Sequence, residues 1–217
     1  MSKTKKKAEE EKAELEKLSP GERGRREIYD WIQSLMAALI FCVLLFSFCI
    51  RLIDVHGPSM MPTLYEGNKM LVSNVFYTPK AGDIVVFRKV DENNEEKALV
   101  KRIIATEGQE IKIDFDRGII YVREPDSEDW TALQEPYIRH VEAKDEFGND
   151  AQKLEPLDKW GFIGPQTVPE GHVFVLGDNR NQSRDSRNSS IGMVDARLII
   201  GKVYAIVYPI SEMRWVR

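Results

Sequence analysis

A chain of 217 residues has length for one packed domain plus an appendage, and its formal net charge of -4 and pI of about 5.6 lack the basic excess that nucleic-acid binding uses. Both cysteines, Cys42 and Cys49, fall in one apolar run, so nothing after Ile50 can form a disulfide. The histidines, His56, His140 and His172, show neither an H-E-x-x-H motif nor paired Cys/His spacing, so the chemistry is expected to need no metal or other cofactor.

The first 18 residues are a Lys/Glu-rich tract whose i,i+4 pairs mix attraction with like-charge repulsion, the pattern of a solvated tail. Ser19-Pro20-Gly21 breaks that tract, giving a tail over 1–21 and a membrane anchor over 22–52 whose helix starts near Glu22. Residues 32–50 read IQSLMAALIFCVLLFSFCI, without a charge. At about 1.5 Å per residue such a run just spans a hydrocarbon core of roughly 30 Å. A buried core helix would show a polar stripe, which is lacking here. A cleavable signal peptide would be shorter, would start earlier and would end in a small-x-small site rather than CIRLID. Lysines and arginines before the run far outnumber Arg51 and Lys69 after it. The positive-inside rule therefore predicts a single-pass protein of the cell membrane, with a cytoplasmic N-terminus and an extracytoplasmic domain over 53–217.

Beyond the run the chain changes to short β-branched stretches separated by turn residues, among them Ile84-Val85-Val86-Phe87, Leu99 to Ala105, Ile119 to Val122, Val173 to Leu176 and Leu198 to Val207. This is the texture of a mostly β domain. Asp116-Arg117-Gly118 reads as a hairpin turn, and Ala81-Gly82-Asp83 opens a strand. From about Glu124 to Lys159, periodicity is lost among acidic residues, Pro, Gly and Asn, as expected of surface excursions that rarely supply chemistry.

Three segments concentrate chemical groups. In Val55-His56-Gly57-Pro58-Ser59-Met60-Met61-Pro62, two prolines stiffen the chain around one hydroxyl. In Leu99-Val100-Lys101-Arg102-Ile103, alternation puts the two cations on opposite faces, so one of them must lie against apolar surface. Burial disfavours an ammonium and turns such a lysine into a base. The run Val173 to Leu176 then enters the polar loop GDNRNQSRDSR, where Ser183, Asp185 and Arg187 crowd at a strand end and a hydroxyl could orient the lysine.

With its uncharged anchor, GPSMMPTL (Gly57 to Leu64), KAGDIVVF (Lys80 to Phe87), VKRIIATEGQ (Val100 to Gln109) and GDNRNQSRDSR (Gly177 to Arg187) in that order, the chain resembles the bacterial type I signal peptidases from about Arg26 to its end. The resemblance implies a β-rich catalytic core with an inserted smaller β region, here about 110–166, behind one N-terminal transmembrane helix. It implies Ser59 as nucleophile and Lys101 as general base, with Ser183 hydrogen-bonded to the lysine amine. The Ser59 N–H, with Gly57 beside it, would serve the oxyanion. Val55, Met60, Leu64, Leu99 and Val100 would line pockets for small side chains. Gly177, Asp178, Asn179, Asp185 and Arg187 would brace the loop. The implied substrates are signal-peptide-bearing preproteins cut after a small-x-small site, and the implied partners are membrane phospholipid and the export machinery. Many relatives carry a serine where this chain has Gly57, which here leaves a main-chain N–H or water as second oxyanion donor.

Three alternatives stand beside this reading: a Ser-His protease using His56, His140 or His172, a self-cleaving Ser/Lys regulator, and a membrane-tethered β binding module without catalysis. His56 is too close to Ser59 along a proline-stiffened segment to fold back onto it, and a regulator of that kind would carry a DNA-binding domain in place of the anchor.

Overall fold

The computed structural model describes residues 19–90, 94–115, 117–138, 143–144, 150–151 and 164–216. The chain divides into two compact units, residues 1–49 and 50–217.

In the first unit a helix, α1 (Pro20–Leu44), continues into a π-helical turn at Leu45–Cys49. The proline expected to precede the helix is its first residue. A helix's first N–H needs no intrahelical acceptor, so proline fits there. Ser19 and Glu22 close the end, the Glu22 carboxylate accepting from the Ser19 N–H at 3.0 Å and from its hydroxyl at 2.7 Å. This helix is long and apolar enough to cross a membrane, and Ile32, Leu35, Leu39 and Phe41 are all more than half exposed among the described residues.

The second unit is mostly β. Its main sheet is built from β1 (Arg51–Asp54), β2 (Lys69–Ser73), β3 (Ile84–Val90), β4 (Glu96–Thr106), β11 (His172–Leu176), β12 (Val194–Asp195), β13 (Ile199–Tyr208) and β14 (Arg214–Trp215). These run antiparallel in the order β1-β2-β13-β3-β4-β11-β12, with β14 on β13. Between β4 and β11 the chain forms a second antiparallel sheet, β10-β5-β6-β7, from β5 (Glu110–Asp114), β6 (Ile119–Arg123), β7 (Thr131–Ala132) and β10 (Gln166–Thr167). A further pair joins β8 (Ala143–Lys144) to β9 (Asp150–Ala151). The β5–β6 turn passes through Gly118 at φ +67°; Asp116 of that expected turn lies outside the described residues.

Period-two alternation decides which faces are covered. Ile104 of β4 and Phe174 and Leu176 of β11 pack against Ile111 and Ile120 of the second sheet. Val85, Phe87, Ile103, Val173 and Val175 form a separate cluster. Each such side chain contributes roughly 1.5–3 kcal/mol by leaving water. The middle of β4 thus lies between covered surfaces, and that is where both cations fall.

Candidate active site

Lys101 and Arg102 are 3% and 1% exposed, so the structure buries both cations where the sequence demanded burial of only one. Each meets that constraint differently. Arg102 forks onto Asp178, with Nε to Oδ1 at 2.9 Å and Nη2 to Oδ2 at 2.8 Å. Its Nη1 donates to the Gly82 carbonyl at 2.8 Å, and the guanidinium lies 3.7 Å from the centroid of the Tyr137 ring. Lys101 has no such carboxylate partner among the described residues. Its Nζ lies 2.7 Å from Ser59 Oγ and 2.8 Å from the Val100 carbonyl. Burial brings the amine down to about 8, against the opposing pull of Asp185 and Asp178. An amine so lowered is partly neutral in mildly alkaline water, and the hydroxyl of Ser59 can then donate to its lone pair.

The segment carrying Ser59 is gripped on two sides. Val55, Met60 and Leu64 are buried in one core cluster with Met70, Val72 and Val86. Opposite them, the loop after β11 takes the segment's carbonyls: the Asn179 N–H donates to the Ser59 carbonyl at 3.0 Å and Asn179 Nδ2 to the Pro58 carbonyl at 3.1 Å. The Thr63 hydroxyl donates to Asp178. Gly177 is needed for close approach, because a Cβ there would collide with Ser183 Oγ and with the Ser59 carbonyl.

The loop is itself held by charge. Asp185 accepts from the Gly177 N–H at 3.1 Å and from Arg187 Nε and Nη2 at 2.8 and 2.9 Å. Arg187 also donates to the Arg180 carbonyl, and Arg180 Nε to the Gly177 carbonyl at 3.1 Å. Ser183 is 3% exposed and lies against Gly177, yet its hydroxyl has no hydrogen-bond partner among the described residues. The bond expected from Ser183 to the Lys101 amine is therefore not made in this structure.

A groove of about 900 Å³ opens beside Ser59 and Lys101, with Leu52, Ile53, Val55, His56, Met60, Leu99 and Val100 on its walls. Leu64, expected on that wall, is wholly buried in the core cluster instead. His56 borders the groove, whereas His172 Nδ1 lies 2.8 Å from the Glu170 carbonyl; His140 lies outside the described residues.

The sequence reading missed Thr63, Arg180, Glu135 and Tyr137. Thr63 and Arg180 lie within GPSMMPTL and GDNRNQSRDSR, so those segments contained the signal. Glu135 and Tyr137 fall in the stretch expected to be surface excursion. That expectation is corrected here: the Glu135 side chain is only 5% exposed and is paired with Arg180.

The family model for signal peptidase, peptidase S26, matches residues 28–208, most of the chain and every segment just described. The chain belongs to the signal peptidase family. Signal peptidase I P of Bacillus subtilis subsp. natto is 33% identical over 88% of this chain and 95% of that protein. Signal peptidase I of Bacillus licheniformis is 31% identical over 88% and 94%. The probable signal peptidase I-1 of Synechocystis sp. (strain ATCC 27184 / PCC 6803 / Kazusa) is 34% identical over 85% and 83%. A crystal structure of a signal peptidase I from Enterococcus faecalis V583 aligns with 28% identity and a TM-score of 0.40, covering 58% of this chain and 97% of that one. Membership of the signal peptidase family makes the chain a serine endopeptidase that removes signal peptides from preproteins.

Proposed function

We propose that this signal peptidase is anchored by α1 and cuts preproteins after a small-x-small sequence on the outer membrane face, with Ser59 as nucleophile and neutral Lys101 as general base. The observation that carries this reading is the 2.7 Å contact between Ser59 Oγ and the amine of a lysine 3% exposed and without a carboxylate partner among the described residues. Lys101 takes the Ser59 proton as Oγ attacks the scissile carbonyl, and its ammonium returns that proton to the leaving amine. It then takes a proton from the water that hydrolyses the acyl-enzyme and passes it to Ser59 Oγ as that oxygen leaves, which restores the neutral amine and the free hydroxyl.

The groove fits an extended peptide. β3 pairs along β4 from Glu96 to Arg102, but β11 begins its pairing on the other edge only at Arg102. Along residues 98–101 no strand pairs with that edge of β4 among the described residues, so a substrate strand can add there beside the groove. Leu99, Val100, Val55 and Met60 leave room there for small side chains.

The Ser59 N–H is assigned to the oxyanion. Gly57 stands at φ +79°, a conformation that disfavours any side chain, so the second donor is a main-chain N–H or water. Ser183, buried beside Gly177 with a hydroxyl unpartnered among the described residues, is assigned to the remaining N–H of the neutral Lys101 amine. Membrane phospholipid and the export machinery are the partners that an anchored enzyme of this kind meets.

The test is cleavage of a preprotein with an Ala-x-Ala site by the purified full chain in detergent. Ser59→Ala and Lys101→Ala should each abolish cleavage, and undiminished cleavage by either would remove the dyad. Ser183→Ala should lose part of the turnover, and full activity would remove its orienting role.

A further inference from the structure

Arg102, Arg180 and Arg187 are buried at the catalytic loop, and the loop supplies only two carboxylates, Asp178 and Asp185, to face them. Asp178 takes Arg102 and Asp185 takes Arg187. The anion for Arg180 comes from outside the loop. Glu135, 45 residues earlier, accepts both ends of its guanidinium, with Nη1 to Oε2 at 2.8 Å and Nη2 on Oε1, and the two side chains are 3% and 5% exposed. Burial works against the Arg180 charge, and Glu135 foremost, with Tyr137 and Asp185, offsets it and holds the guanidinium above its ordinary value.

Tyr137, two residues on, reaches the other buried guanidinium. Its ring lies over Arg102 and its hydroxyl donates to Glu135 Oε1 at 2.9 Å. One short segment of the insertion therefore touches both arginines that hold Gly177 and Asp178 of the Gly-Asp-Asn turn. Arg102 grips Asp178, and Arg180 Nε grips the Gly177 carbonyl. Gly177 in turn lies against the Ser59 carbonyl, and Asn179 hydrogen-bonds it. The path from Glu135 to the nucleophile thus runs by hydrogen bonds through Arg180 to the Gly177 carbonyl, and from Gly177 to the Ser59 carbonyl by close packing.

We propose that Glu135, with Tyr137, is a positioning residue of the catalytic centre: the inserted sheet region clamps Arg180 and Arg102 and thereby fixes Gly177 and Asn179 against the Ser59 backbone. The effect on turnover rests on the Ser59/Lys101 reading; the clamp on the loop does not. A second independent feature fits the same role. Tyr137 adds an aromatic face to Arg102, whose carboxylate is already supplied by Asp178, so its contribution is to hold the plane of the guanidinium.

The clamp is tested on the full chain with Glu135→Gln, which keeps shape and loses charge, Glu135→Asp, which keeps the charge, and Tyr137→Leu, which removes the ring. Amide hydrogen exchange over residues 175–187 should quicken at least tenfold in Glu135→Gln and Tyr137→Leu. Turnover of the Ala-x-Ala preprotein should fall about 10- to 100-fold with KM changed less than about twofold, because a displacement of about 1 Å at the nucleophile costs rate rather than groove binding. Glu135→Asp should recover part of that loss. Rates are taken per folded protein from melting curves in the same buffer. Unchanged exchange over 175–187 in both variants overturns the clamp whatever the enzyme does. Quicker exchange with wild-type turnover overturns its catalytic consequence. Wild-type protein that leaves the preprotein intact overturns the protease reading instead, and exchange still decides the clamp.

Discussion

Lys101 is a residue on which stability and chemistry conflict. Burial lowers its amine from 10.5 to about 8, while Asp185 and Asp178 pull the other way. The folded chain thus releases the proton more readily than the unfolded one, so between about pH 8 and 10.5 the unfolded state binds more protons and stability rises with pH. Below that window the full penalty is present. Lys101→Met should therefore raise the unfolding free energy at pH 7 by on the order of 2–3 kcal/mol, flatten that rise and abolish cleavage. Urea unfolding at pH 7 and pH 10, with an activity assay, checks all three. For the wild type, the acid limb of kcat should fall near pH 8, well above the limb near pH 6 to 7 that a histidine base would give. Gly177→Ala belongs to the same scale. Its methyl group has no space between Ser183 and the Ser59 carbonyl, so a loss of roughly 1–3 kcal/mol in stability and most of the turnover is expected.

At the scale of elements, β4 and the loop after β11 form one charged unit. Asp178→Asn would leave the Arg102 guanidinium buried without its counter-charge and with one of its two acceptor oxygens replaced by an NH2 group that cannot accept. Breaking a buried pair in this way costs about 3–5 kcal/mol, so this variant should melt well below the wild type and lose activity. Thr63→Val removes one hydrogen bond to the same carboxylate and should cost only about 1 kcal/mol. A pair of thermal melts decides whether that ranking holds. The alternation that put Lys101 and Arg102 on opposite faces of β4 was legible in five consecutive letters. That both faces would be covered was not, because the cover comes from distant segments: the second sheet and the Ser59 segment on one face, and Ile191, Val194 and Ile199 on the other.

The whole molecule divides at Cys49 and Ile50. The 50–217 unit contains its own core clusters, so a chain beginning at Ile50 should unfold in one cooperative transition, which a denaturant titration would show. For the full chain, a single cysteine introduced at Glu66, in a background with Cys42 and Cys49 replaced, should react with an impermeant reagent in intact cells. Labelling only after lysis would reverse the orientation taken from the charge bias around α1.

The sequence by itself determined what depends on neighbours along the chain: an uncharged run long enough to span a bilayer, a serine stiffened between prolines, and strands marked by period two. Each of these needs only a few consecutive side chains, so the physics is local. Tertiary structure alone decided the rest. Ser59 and Lys101 are 42 residues apart and meet only because core packing and the loop after β11 hold the Ser59 segment beside β4. Leu64 left the groove for the core, and the Ser183 hydroxyl came to rest against Gly177 instead of on the lysine. Glu135 and Tyr137, in a stretch with no periodicity to mark it, became partners of Arg180 and Arg102. A buried guanidinium requires an anion, but which carboxylate supplies it depends on how distant segments pack, and no local pattern records that.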